Sequence, residues 1–90
     1  MVTVRVSNPL RSLTGGVGEL RVPAATLAEL FEAVDSAHPG FSERVRDEQG
    51  RLRNYVNAFV GDVESRHLAG METPLSPGSV VTVVAAVAGG

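Results

Sequence analysis

Val80-Val81-Thr82-Val83-Val84-Ala85-Ala86-Val87 is apolar at nearly every position, and Ala88-Gly89-Gly90 follows it directly. A short run of β-branched and small apolar residues, bounded by glycine, reads as a strand, because a helix normally needs a longer segment. A strand that is apolar on both faces belongs in the middle of a sheet, covered on at least part of each side. Pro77-Gly78 ahead of it has the sequence of a type II turn. The sequence therefore predicts a closing strand over 79–87 at the centre of the fold.

Val2, Val4 and Val6 alternate with Thr3 and Arg5, the period of a strand with one buried and one wet face. Asn8-Pro9 and Gly15-Gly16 punctuate a loop, and Val17, Leu20 and Val22 predict a second strand antiparallel to the first. Thr26 with Glu29 forms a Thr-x-x-Glu capping box. Leu27, Leu30, Phe31 and Val34 then lie at i, i+3, i+4 and i+7 of a helix, with Glu29, Glu32 and Asp35 on its solvated side. Pro39-Gly40 stops it.

A short helical turn capped by Ser42 is expected over 41–48, with Phe41 and Val45 touching the core. Leu52 to Val60 reads as a strand, Gly61-Asp62 as a tight turn into a short piece over 63–66, and 68–77 as mostly loop. The closing strand is placed beside the first and parallel to it, which requires a crossover that the helix supplies. The expected fold is α+β: a β-grasp, or ubiquitin-like, mixed sheet of four to five strands packed on one main helix. Its domain is expected over 1–86, with a flexible diglycine tail over 87–90.

Composition narrows the chemistry. Ninety residues with 43% hydrophobic content make one domain with a single core. There is no cysteine, hence no disulfide framework, thiolate nucleophile or thiolate metal site. The basic residues are all arginine and the formal net charge is −2, a poor balance for nucleic-acid binding, which relies on phosphate neutralisation. No stretch approaches the ~20 apolar residues that span a bilayer, and the N-terminus alternates instead of resembling a signal peptide. A cytoplasmic protein without membrane partners is expected, and a monomer when free, since no heptad or long exposed apolar stripe is present.

Familiar catalytic constellations are weak. His38 precedes the helix-ending proline and His67 falls in a loop, without zinc-site spacing or a nucleophile pattern nearby. Gly15-Gly16-Val17-Gly18 reads as a hairpin loop, not a nucleotide cradle. Arg51 and Arg53 are either solvated or face an acidic groove on a partner. What stands out is Gly89-Gly90. Two glycines there would arise by chance roughly once in 200 chains, but they also place an unhindered carboxylate on Gly90 at the tip of a slender arm. A carboxylate is a poor electrophile, so acyl chemistry at Gly90 needs activation by a partner's ATP site.

Ser42-Glu43-Arg44-Val45, Arg53-Asn54-Tyr55-Val56-Asn57-Ala58-Phe59-Val60, Gly70-Met71-Glu72-Thr73-Pro74-Leu75 and the ending Ala86-Val87-Ala88-Gly89-Gly90 together resemble the ThiS/MoaD family of sulfur carriers, in its CysO-like branch. The resemblance implies a protein co-substrate, not an enzyme. An E1-like enzyme would adenylate Gly90 with ATP, and a rhodanese-type or cysteine-desulfurase donor would replace AMP with sulfur. The resulting thiocarboxylate would pass that sulfur to an accepting synthase. Gly90 would be the adenylation and thiocarboxylate site, and Gly89, Ala88 and Val87 the tail that partners recognise. No cofactor would be bound and no residue would be catalytic. Cysteine synthesis is the first candidate pathway, with molybdopterin, thiazole or thio-natural-product synthesis as others. The chain departs from the family's common pattern at Ala85 or Ala86, often proline, and at Pro77-Gly78-Ser79, commonly Gly-Asp. Two alternatives use the same fold: a ubiquitin-like modifier conjugated through Gly90 to lysines, and a plain interaction module.

Overall fold

The computed structural model describes residues 1–85. Strands β1 (Val2–Val6), β2 (Glu19–Val22), β3 (Val56–Val60), β4 (Val63–Glu64) and β5 (Val80–Ala85) form one mixed sheet in the order β2-β1-β5-β3-β4. β5 lies in the middle, parallel to β1 with Val4 opposite Val81 and Val6 opposite Val83, and antiparallel to β3 with Ala58 opposite Val83. Helix α1 (Leu27–Ala37) and the short α2 (Phe41–Val45) cover one face. This is the β-grasp arrangement.

Alternation decides which side is covered. Val2, Val4 and Val6 of β1, Val56 and Ala58 of β3, and Val81, Val83 and Ala85 of β5 are buried against Leu27, Leu30, Phe31 and Val34 of α1. Val80, Thr82 and Val84 point the other way and are half-buried, so β5 is apolar on both faces but fully covered on only one. The opposite face carries a row across the sheet: Glu19 beside Arg5, Arg5 beside Thr82, Thr82 beside Phe59, and Phe59 beside Glu64. Phe41 of α2 reaches the same core as Phe31, their rings nearly parallel with centroids 6.1 Å apart.

The helix starts where the sequence places it. Thr26 Oγ1 accepts from the Glu29 amide at 3.2 Å, satisfying one of the donors a helix start leaves unpaired. The reciprocal half of the capping box is displaced by one residue, because Glu29 Oε1 accepts from the Ala25 amide at 3.0 Å. The same end is fixed to a distant loop, with the Leu27 amide donating to Thr73 O and the Leu75 amide donating to Ala25 O. Ser76-Pro77-Gly78-Ser79 closes the turn before β5: the Ser79 amide bonds Ser76 O, and Gly78 takes φ +86, as the third position of a type II turn requires.

Several local expectations are corrected. Val17 lies outside β2 and is 42% exposed, because the chain from Asn8 to Thr14 winds into a 3-10 helix and spends Val17 in the turn that leaves it, where the Val17 amide donates to Thr14 O. Ser42 does not cap α2. Gly40 stands at its N-cap at φ +99, and Asp35 Oδ1 accepts from both the Gly40 and Ser42 amides. Asp35 is thus not simply a solvated helix residue. β3 begins at Val56, not Leu52, because Asn54 and Tyr55 make a turn in which the Val56 amide donates to Arg53 O. The 68–77 stretch contains a 3-10 turn at Gly70–Glu72. The expected domain boundary between residues 86 and 87 lies outside the described residues.

Candidate functional site

Gly90, Gly89, Ala88 and Val87, the residues singled out from sequence, all lie outside the described residues. What the structure places is the base from which they depart, Ala85 at the end of β5. Two strands flank it, Val56 of β3 opposite Ala85 and the end of β1 on the other side. An arginine ties down the strand on each side. Arg11 Nε donates to Val6 O at 3.0 Å, and Arg66 Nη2 donates to Val56 O at 3.0 Å.

Arg66 does more than close one bond. Its second contact through Nη2 is to Arg53 O at 3.1 Å, while Nη1 reaches Asn57 Oδ1 at 2.6 Å and Glu64 Oε1 at 3.0 Å. The planar fork suits this, since one guanidinium can satisfy several acceptors in a fixed geometry. The result fixes the start of β3, beside β5's last residue, to the turn before it and to β4. Each strand flanking β5 thus has a guanidinium bonded to its backbone, and that of Arg66 is also ion-paired with Glu64.

On the β1 side Ser7 makes the closing contact. Its amide donates to Val83 O at 3.0 Å and its Oγ accepts from the Ala85 amide at 3.2 Å. Neither Ser7 nor Arg66 stands out in the sequence as functional. A serine before Asn-Pro reads as turn punctuation, and a lone arginine after a two-residue strand reads as surface.

The remaining sequence candidates sort themselves. His67 is exposed and His38 half-buried at the end of α1. Among the described residues no group of three His, Cys, Asp or Glu is placed to hold a metal. Arg53 donates to Glu43 O at 3.0 Å and is spent on holding α2, while Arg51 lies exposed beside Asp47. A groove of about 400 Å³ opens beside the β3 start, lined by Arg51, Leu52, Asn54, Ser65, Arg66 and Met71 among others. Its one carboxylate, Asp47, accepts from the Gln49 and Arg51 amides and so holds its own turn. No helix among the described residues is long and apolar enough to cross a membrane.

The chain matches known proteins along its length. The ThiS family model matches residues 4–90. The sulfur carrier protein CysO of Mycobacterium tuberculosis is 35% identical over 91 residues, covering 99% of this chain and 98% of that protein. CysO in its crystallised complex with BexX from Amycolatopsis orientalis superposes with a TM-score of 0.92 at 34% identity, covering 100% of both chains. Small archaeal modifier protein 3 of Haloferax volcanii is 33% identical over 66 residues, covering 73% of this chain and 71% of that one. With the family model spanning almost every residue and a β-grasp sheet beneath it, the chain belongs to the ThiS family.

Proposed function

We propose that this protein is a sulfur carrier whose Gly90 carboxylate is the working group. One observation carries the reading: end-to-end similarity to a sulfur carrier, 35% identical over 99% of this chain and 98% of that protein, with Gly89-Gly90 inside the span the family model matches. Gly90's carboxylate attacks the α-phosphorus of ATP in a partner adenylating enzyme, releasing pyrophosphate and leaving an acyl-adenylate. A donor then delivers sulfur: the outer sulfur of a donor persulfide attacks the carbonyl carbon and AMP departs, and a thiol then cleaves the resulting acyl disulfide, releasing the thiocarboxylate and leaving a disulfide with the donor cysteine. Overall, one oxygen at Gly90 is exchanged for sulfur. The thiocarboxylate is an anionic sulfur nucleophile that needs no base of its own, which suits a chain whose described residues offer no acid–base pair.

The E1-like enzyme, a rhodanese-type or cysteine-desulfurase donor and a sulfur-accepting synthase are the partners of this reading, with cysteine synthesis as the first acceptor pathway. Val87, Ala88 and Gly89 form the segment that enters partner sites. Glycine at the last positions puts no Cβ beside the attacked carbon. ATP is bound by the partner.

Intact mass spectrometry tests this. Protein co-expressed with its own genome's adenylating and sulfur-donating enzymes should gain the mass difference of sulfur over oxygen, and protein lacking Gly90 should not. No gain with both enzymes active would sink the carrier reading. The similarity to an archaeal modifier protein favours one alternative, attachment through Gly90 to lysines of other proteins, and lysine-linked adducts in digests would identify it.

A further inference from the structure

Ser7 occupies an unusual crossing of two structures. It ends the pairing of β1 with β5, and it is the N-cap of the 3-10 helix Asn8–Thr14. At an N-cap a serine hydroxyl ordinarily accepts from a helix amide, while the backbone carbonyl of a strand residue ordinarily accepts from the neighbouring strand. Here the carbonyl serves the helix, as an N-cap carbonyl ordinarily does, and the hydroxyl serves the sheet. The Ser7 carbonyl accepts from the Leu10 amide at 2.9 Å, inside the first helical turn. The hydroxyl makes no capping bond and accepts from the Ala85 amide at 3.2 Å, across 78 residues of sequence.

The hydroxyl lets β5 run one step farther than β1 can follow by backbone alone. The next bond of the parallel ladder would run from the Ala85 amide to the Ser7 carbonyl, which the Leu10 amide already occupies, and the bond beyond it would need an amide hydrogen from Pro9, which has none. The ladder therefore closes on a side chain. We propose that Ser7 is a positioning residue: its hydroxyl, in place of a backbone carbonyl, terminates the β1–β5 ladder and seats the strand end from which the Gly90 segment departs. The role rests on the reading of Gly90 as the reacting end. Only a side chain with an oxygen on Cβ serves. Alanine removes the acceptor without disturbing the backbone, and threonine retains it.

The test uses the full chain as wild type, Ser7→Ala and Ser7→Thr, with two readouts. NMR hydrogen exchange should show the Ala85 amide opening roughly two- to tenfold faster in Ser7→Ala, with Val81 and Val83 unchanged and Ser7→Thr restoring wild-type exchange. With the matched adenylating enzyme, Ser7→Ala should raise KM several-fold while kcat holds. Equal exchange at Ala85 in wild type and Ser7→Ala, or acceleration spread evenly over Val81 and Val83, overturns the proposal. So does faster exchange at Ala85 with KM unmoved. If no adenylating enzyme activates even the wild type, the carrier reading is what fails, and the exchange data alone then decide whether Ser7 terminates the ladder.

Discussion

The β1–β5 seam and the segment from Phe41 to Glu72 share one core but are held by different means. Along the seam, regular pairing aligns Val4 with Val81 and Val6 with Val83, and burial supplies the force. In the segment, regular pairing is confined to Val56–Val60 against β5 and to the two residues of β4. Around those strands side chains reach backbone carbonyls: Arg46 Nε to Gly50 O, Arg53 to Glu43 O, and Arg66 to Arg53 O and Val56 O. The seam is a continuous apolar layer, whereas the segment adds Phe41, Val45, Val56 and Ala58 to the same core and holds its loops by separate polar ties, whose losses should stay local.

Denaturant titration sharpens that contrast. Phe31→Ala, beneath the seam and stacked near Phe41, should cost about 3–5 kcal/mol, because a fully buried aromatic leaves a cavity that neighbours fill poorly. A loss below ~1 kcal/mol would show that α2 collapses into the space. Arg66→Ala should cost roughly 1–2 kcal/mol, less than a buried charged bond because the side chain is partly solvated. Its signature should be faster amide exchange confined to residues 53–57. Uniform acceleration would mean the segment is as cooperative as the seam. Thr26→Ala should cost about 1 kcal/mol through the lost cap, with the m-value unchanged. Arg5→Ala, whose ion pair with Glu19 is exposed on both sides, should stay within ~0.5 kcal/mol and lose even that in high salt.

The same contrast explains what was legible in the sequence. Val2, Val4 and Val6, the Leu27–Val34 stripe and the 80–85 run declare themselves because burial imposes a period, and the period is written locally. The central placement of β5 follows from its two apolar faces, and its parallel pairing with β1 from the helical crossover between them. Val17 is apolar and near a strand, but the turn leaving the 3-10 helix claims it. Ser42 is a good capping residue, yet Asp35, on the preceding helix, supplies the acceptor. The composition of 52–60 favours a strand throughout, while Arg66 and a turn at Asn54 and Tyr55 delay its start to Val56. At the candidate site, the diglycine was visible and its seat was not. Ser7 bonds a residue 78 positions away, and no local pattern records such a bond.

The adjacency of β1 and β5 also governs how the molecule comes into being. On the ribosome, the β1–β2 hairpin emerges early with half of its hydrogen-bonding edge open, and the strand that closes it is made more than fifty residues later. Contacts of such long sequence separation slow folding, because chain entropy is lost before the pairing rewards it. Until then, no stable sheet exists to carry the strand end. Only a folded chain therefore holds Ala85 between its neighbours, and under the proposed function an enzyme that reads this base together with the Gly90 segment would pass over unfinished copies.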